Sequence, residues 1–105
     1  MAKKPTEMAE VLIRLYKERK KKKIGKYLLS KEGFKEIAGK TRLRDSYVRD
    51  VDLKLREDGF LLIDMREEKD QIALLSIKTI MRYFEELSSE LIEKYRDTDN
   101  NDDEW

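Results

Sequence analysis

The sequence predicts a mainly α-helical domain that contains one small β-hairpin. Apolar residues recur at helical spacing near the N-terminus, in the middle and near the C-terminus of the chain. Two apolar runs of strand length, each with β-branched residues, follow one another between residues 60 and 77. A chain of 105 residues has room for one compact domain with a modest core.

The first predicted element is an amphipathic helix that opens at Pro5 and Thr6. A run of four lysines follows it, and Ile24–Leu29 then repeat a helical period. One helix can cross the lysines or two helices can flank them, and a break there is favoured because adjacent cations repel and Gly25 weakens a helix. The apolar stripe of the first helix is Met8, Val11, Leu12, Leu15 and Tyr16.

The middle of the chain carries the spacing of a helix-turn-helix. Ser30–Gly33 is interpreted as a helix end, Phe34–Lys40 as a short helix, and Leu43–Asp58 as a longer helix that Gly59 stops. Position 38 holds a small residue, as close helix crossing requires. The positions expected to face the core or fill the turn are Ile37, Ala38, Leu43, Val48, Val51 and Leu55.

The rest of the chain predicts a hairpin, a helix and a tail. Phe60–Met65 and Gln71–Ile77 are the strands, and Arg66–Asp70 form the hairpin tip. One long helix is expected from about Ile77 to Tyr95, with a heptad-like seam that either pairs two copies of the chain or completes the monomer core. The residues of this predicted dimer seam are Ile77, Ile80, Phe84, Leu87 and Leu91.

Three helices, a hairpin and a final helix are the element order of a winged helix-turn-helix domain. The predicted fold is therefore a winged helix-turn-helix with an extra N-terminal helix and a long C-terminal helix. Residues 1–23 form a basic N-terminal helix or arm and residues 24–77 the winged helix-turn-helix. Residues 78–96 form the C-terminal dimerisation helix, and residues 97–105 an acidic tail expected to be disordered.

The middle segment resembles, without a gap, the helix-turn-helix of small winged-helix transcription regulators such as the multiple-antibiotic-resistance repressor family. The resemblance extends from Ile24 to about Ile77 and implies a recognition helix at roughly Asp45–Glu57, with a wing at Phe60–Ile77 that reaches toward the adjacent minor groove. Arg42 stands where the family often has the turn glycine. The matching framework positions are Glu36, Ile37, Ala38, Thr41, Leu43, Val48, Leu55, Gly59 and Phe60.

The net charge of +1 conceals a strong asymmetry along the chain. Residues 1–56 contain 18 Lys and Arg against 8 Asp and Glu, a balance of +10. Residues 57–105 contain 6 against 15, a balance of −9. This split is typical of a protein in which one half binds a polyanion and the other half does not. The alternative is that the asymmetry arose by chance on a charge-rich surface.

The candidate site residues follow from their chemistry. The guanidinium forks of Arg44 and Arg49 can pair with guanine O6 and N7, and Asp50 can accept a hydrogen bond from a cytosine amine. For each position the alternative is a solvated surface side chain. The predicted base contacts are Arg44, Ser46, Tyr47, Arg49 and Asp50. The predicted phosphate contacts are Lys40, Thr41, Arg42, Lys54, Lys20, Lys21, Lys22 and Lys23. The predicted wing contacts are Arg66 and Lys69.

The chain contains neither Cys nor His, which excludes disulfides, thiolate or imidazole metal sites and the common nucleophile–imidazole pairs. No cofactor, metal or enzymatic activity is expected. No apolar run approaches the roughly 18 residues that span a membrane, so a cytoplasmic, nucleoid-associated location is expected.

The sequence predicts a sequence-specific double-stranded DNA-binding protein, acting as a homodimeric transcriptional regulator, with a regulatory protein partner as a further option. Two alternatives stay open. One is a winged-helix module for protein–protein interaction, and the other is a replication or partition component that binds DNA.

Overall fold

The computed structural model describes residues 2–18 and 26–97, and these form helices and one three-stranded antiparallel sheet. The sheet has the strand order β1-β3-β2, so the last strand in sequence lies in the centre. No helix in the described ranges has the length and apolar character needed to cross a membrane. The elements are α1 Pro5–Glu18, β1 Lys26–Ser30, α2 Lys31–Ala38, α3 Asp45–Glu57, β2 Phe60–Met65, α4 Arg66–Lys69, β3 Gln71–Ser76, α5 Ile77–Tyr83 and α6 Ser89–Tyr95.

The core lies between the first three helices and one face of the sheet. Phe34 of α2 and Met8 of α1 are its largest fully buried side chains, and α1 packs against α3. Alternate residues of each strand point into this core because successive strand side chains face opposite sides of a sheet. The strand residues that pack in the core are Tyr27, Leu29, Phe60, Leu62, Ile72 and Leu74.

The helical period predicted over Ile24–Leu29 is wrong from Lys26 onward, where the structure has strand β1. This strand pairs along its whole length with β3. The Tyr27 hydroxyl donates a hydrogen bond to the Leu12 carbonyl of α1 at 2.8 Å. A short apolar run fits either a helix or a strand, and pairing with β3 decides between them. Residues 19–25, and with them the question of a break at the lysines, lie outside the described residues.

The segment from Ser30 to Gly33 starts a helix and does not end one, which corrects the prediction. The Ser30 hydroxyl is the N-cap of α2 and accepts a hydrogen bond from the Gly33 amide at 2.9 Å. The helix ends at Ala38 because Gly39 takes the left-handed conformation, with φ 73°. Arg42 has no positive φ, since Asp70 is the only described non-glycine residue that does. The missing turn glycine at Arg42 therefore costs no backbone strain.

The second helix of the predicted pair agrees closely with the structure. Helix α3 spans Asp45–Glu57, and Gly59 follows it with φ 84°, in the left-handed region that favours glycine. Its inward side chains were also predicted correctly. The helix residues Val48, Val51 and Leu55 are buried with Ala38 of α2, while Ile37 and Leu43 are half-buried against the same core.

The single long helix predicted from Ile77 to Tyr95 is wrong. Two short helices, α5 and α6, stand there, separated by residues 84–88, and Phe84 has extended backbone angles. Ser88 starts the second helix by accepting a hydrogen bond from the Leu91 amide at 3.2 Å, which competes with continuation of the first. The predicted dimer seam is therefore interrupted between Phe84 and Leu91, and residues 81–97 are all exposed.

Candidate nucleic-acid interface

Helix α3 presents one face to the core and the opposite face to solvent. By helical periodicity residues 46, 49, 50, 53 and 57 share one side, and each of them is exposed. Leu53 is 53% exposed, so the N-terminal helix does not cover it. Asp52 lies on the other side, where its carboxylate accepts hydrogen bonds from the Leu62 amide at 2.9 Å and from Arg56 Nε at 3.1 Å. Asp52 therefore faces the sheet and stays away from the outer face.

The α2–α3 turn and the first turns of α3 form the cationic surface that we call the turn surface. Arg42, Arg44 and Arg49 are exposed, and their guanidinium groups form no ion pair or hydrogen bond with any described residue. In contrast, Arg56 and Arg66 are paired with carboxylates. The structure thus brings three uncompensated cations together at one helix start. The turn surface consists of Lys40, Thr41, Arg42, Arg44, Ser46 and Arg49.

The N-terminus of α3 has no side-chain cap. Ser30, Ser76 and Ser88 cap α2, α5 and α6 with their hydroxyls, but the N-cap residue of α3 is Arg44, whose side chain has no acceptor group. The first amides of a helix and its dipole attract an anion. Because Arg44 adds a cation at the same place, this end of α3 is suited to a phosphate from outside the chain.

Arg66, predicted as a wing contact, is engaged within the chain. Its side chain is only 14% exposed and forms ion pairs with Asp64 at 2.6 Å and Asp45 at 2.7 Å. It also donates a hydrogen bond to the Leu43 carbonyl at 3.3 Å. Arg66 therefore ties the hairpin to the start of α3 and neutralises the carboxylate of Asp45 beside the turn surface.

The hairpin tip, residues 66–70, folds back on the domain. It contains the single helical turn α4, followed by Asp70 in the left-handed conformation, whose carbonyl accepts a hydrogen bond from the Lys31 amide at 2.8 Å. Lys69 is exposed, and its predicted contact with DNA stays a prediction. A cavity of about 400 Å³ opens beside the tip, and its lining is mainly acidic. The lining residues are Lys31, Asp45, Asp64, Arg66, Glu67 and Glu68.

Stability at acid pH is expected to depend on Asp64. The hydrogen bond from Arg66 is the main reason that the pKa of this carboxyl lies below its usual value of 3.8. A lowered pKa stabilises the folded state above the pKa of the unfolded chain, and this contribution is lost as the pH falls through the folded value. We therefore expect Asp64→Asn to lose less stability than the parent protein between about pH 5 and pH 2.

Urea unfolding at both pH values measures this difference. Asp50→Asn is the control, because Asp50 is exposed and has no partner among the described residues. This control should lose as much stability in acid as the parent. An equal acid loss in Asp64→Asn and the parent would contradict the role of Asp64.

Tyr47, predicted as a base contact, turns inward. It is 9% exposed, and its hydroxyl donates a hydrogen bond to the Lys3 carbonyl at 2.9 Å. Burial, and secondly the negative charge of Glu7, raises the pKa of this hydroxyl. Neighbouring residues of a helix point in different directions, so Ser46 faces solvent while Tyr47, the next residue, faces the N-terminal segment.

Lys3 is a neighbour of the turn surface that the sequence patterns did not identify. Its backbone amide donates to the Ala38 carbonyl at 2.8 Å, and its Nζ donates to the Ile37 carbonyl at 2.5 Å. Lys40 Nζ lies 4.4 Å from the centre of the Tyr47 ring, so both lysines contact Tyr47. The only signal for Lys3 was its charge, because a residue ahead of a helix carries no periodicity.

The remaining predicted contacts have varied surroundings. Lys54 lies 3.9 Å from the Glu57 carboxylate in a surface pair of little energetic weight. Ser46 and Asp50 are exposed on the outer face of α3. The four predicted phosphate contacts Lys20, Lys21, Lys22 and Lys23 lie outside the described residues.

Comparison with known proteins gives no match: no family model, no curated protein and no solved structure is significantly similar to this chain.

Proposed function

We propose that this chain is a winged helix-turn-helix protein that binds double-stranded DNA through the turn surface and acts as a homodimeric transcriptional regulator. The observation that carries the proposal is the group of three unpaired arginines around the uncapped start of α3. The order α1-β1-α2-α3-β2-β3 supports the winged-helix assignment, as does the resemblance to small winged-helix regulators. A cytoplasmic, nucleoid-associated location follows from the same proposal.

The distribution of charge limits how α3 can approach the duplex. Further along its outer face Arg49 is followed by Asp50, Leu53 and Glu57, so positive charge is concentrated at the N-terminal end. We propose that this end enters the major groove, as recognition helices of helix-turn-helix proteins do. Bases are read by Arg44, Ser46 and Arg49, with Asp50 as a possible acceptor for a cytosine amine, and phosphates are held by Lys40, Thr41 and Arg42.

The hairpin contributes little to DNA binding in this proposal. Arg66 forms ion pairs with the carboxylates of Asp45 and Asp64. Lys69 is then the only unpaired cation of the hairpin tip, where it stands among Glu67, Glu68 and Asp70, so the tip carries a net negative charge. Phosphates repel such a surface. The footprint is therefore expected to centre on the turn surface, and a second copy supplies a second half-site.

Selection from a random duplex library at physiological salt tests the proposal. We expect enrichment of a two-fold symmetric site, with an affinity that falls steeply as salt rises, since each phosphate contact contributes about 0.9 to the slope of log K against log salt. Fluorescence anisotropy at several salt concentrations measures the slope. No enrichment together with no salt dependence would contradict the proposal.

A protein-interaction module is the second candidate, and the acidic cavity beside the hairpin tip favours it. Under this hypothesis the cavity binds a basic segment of a partner, and duplex DNA of any sequence binds weakly. The same selection separates the two candidates.

A further inference from the structure

The face of the sheet that points away from α1, α2 and α3 is unusually apolar, and we call it the outer sheet face. Strand register places Leu28, Ala73 and Ile63 in one row across β1, β3 and β2. Residues opposite each other in paired strands share a face of the sheet. Leu28 is 58% exposed and Ile63 is 45% exposed, although both are large aliphatic side chains.

The neighbouring rows extend this apolar surface. Because alternate residues share a face, nine strand positions belong to it, and six of them are apolar. A solvated face of an antiparallel sheet is normally polar. Of these six, Leu28 and Ile63 are exposed, Leu61, Met65 and Ala73 are half-buried, and Leu75 is buried. The exposed apolar surface is therefore centred on Leu28 and Ile63, and an exposed apolar patch of this kind marks an interaction site. The nine positions are Lys26, Leu28, Ser30, Leu61, Ile63, Met65, Gln71, Ala73 and Leu75.

A second apolar surface lies on α6. Leu87, Leu91, Ile92 and Tyr95 are between 44% and 76% exposed and line an open concavity. No residue of α6 is buried. The molecule measures 56 × 35 × 26 Å with a radius of gyration of 17.9 Å, whereas a compact chain of this length has about 13 Å. Helix α6 therefore buries none of its side chains against residues 2–18 and 26–97 of its own chain.

We propose that α6 of each copy packs on the outer sheet face of a second copy, which forms a closed two-fold dimer by exchange of this helix. Each copy carries both apolar surfaces. In a two-fold dimer, each copy's α6 covers the outer sheet face of the other copy, so all four surfaces are covered. A specific interface needs about 800 Å² from each partner, and each copy contributes a helix face and a sheet face toward this area.

Charge complementarity supports the second copy as the occupant. Helix α6 and the segment before it carry four acidic residues, Glu85, Glu86, Glu90 and Glu93, against one lysine, Lys94, and Glu93 pairs with Arg96. The single charged position on the outer sheet face is Lys26. The non-helical segment 84–88 separates α6 from α5, which leaves α6 free to lie on another chain. This inference does not depend on DNA binding.

Disulfide trapping tests the contact directly, because the natural chain has no cysteine and gives no background. Two single variants, Ile63→Cys on the sheet and Ile92→Cys on α6, are mixed under mild oxidation. We expect a disulfide between the two variants, detected by mass spectrometry of the proteolysed dimer as a cross-link between the peptide that holds position 63 and the peptide that holds position 92. A disulfide formed mainly between two Ile92→Cys chains would overturn the proposal, since it would show that α6 pairs with α6.

A double variant distinguishes this dimer from a monomer in which α6 folds onto the sheet of its own chain. A chain that carries both Ile63→Cys and Ile92→Cys is expected to give a covalent dimer under dilute oxidation. A disulfide-closed monomer would show that α6 covers its own sheet and would overturn the exchange.

The oligomeric state of the full chain, measured by sedimentation, gives the second test. We expect a dimer in the parent, and Ile92→Glu or Leu28→Glu should raise its dissociation constant by more than roughly ten-fold. Leu53→Glu is the matched control, because Leu53 is as exposed as Ile92 (53%) but lies on α3, and it should leave the dimer intact. A monomeric parent, or a dimer that neither variant weakens, would contradict the proposal.

Discussion

Replacement of both Arg44 and Arg49 by alanine is expected to lower the affinity for the selected duplex by on the order of a thousand-fold, and each single replacement by tens-fold. A guanidinium that pairs with a guanine contributes about 1–3 kcal/mol of discrimination, and contacts to separate bases add approximately. Both side chains are exposed and neither forms a hydrogen bond or an ion pair with a described residue, so we expect the fold to tolerate their removal. Anisotropy titrations with the selected duplex and with a scrambled duplex measure the change.

Two controls define what this loss means. Arg14→Ala removes the same charge from an exposed position on α1, outside the turn surface and outside α6, and should leave affinity nearly unchanged. Arg42→Ala should weaken the selected and the scrambled duplex alike and reduce the salt slope by about 1, as a phosphate contact does. Thermal unfolding should be the same in all variants. Unchanged affinity of the double variant would show that the turn surface does not read DNA.

The largest loss of stability is expected from Leu55→Ala, and the same substitution at Leu53 should have almost no effect. Leu55 is fully buried, whereas Leu53, two residues earlier on α3, is 53% exposed. Truncation of a buried leucine costs about 2–5 kcal/mol, because transfer energy is lost and a cavity is left. A surface substitution usually stays within about 0.5 kcal/mol.

Urea and thermal unfolding followed by circular dichroism measure this pair of variants. In a domain of this size Leu55→Ala should lower the melting temperature by on the order of 10–30 °C, given roughly 4–8 °C for each kcal/mol. The pair tests the orientation of α3, on which the turn surface depends. Equal losses at positions 53 and 55 would mean that the outer face of α3 has been assigned to the wrong side.

The sequence was most informative where local signals and packing agree. The spacing predicted a helix over Leu43–Asp58 and α3 spans Asp45–Glu57, because its inward positions repeat at spacings of three and four and Gly59 supplies the left-handed residue after it. The exposed positions Arg44 and Arg49 follow from the same periodicity. Local pattern alone was sufficient for this part of the candidate site.

The prediction failed where partners distant in sequence decide the structure. Strand β1 exists because β3 pairs with it, and the apolar run before Ser30 does not reveal that pairing. Arg66 was predicted to meet DNA because charge alone was visible, while its partner Asp45 lies 21 residues away. Tyr47 was misplaced for a similar reason, since its hydroxyl bonds to Lys3, 44 residues earlier in the chain.

Position 44, the N-cap of α3, affects both the stability of the free protein and the proposed binding of DNA. A serine at this position would satisfy a helix amide and typically stabilise the free protein by about 1 kcal/mol, as at the other capped helices. Arg44 gives up that gain, because its side chain forms no cap hydrogen bond. A change to serine at this position is therefore expected to stabilise the free chain and, at the same time, to remove the cation that stands beside the first amides of α3.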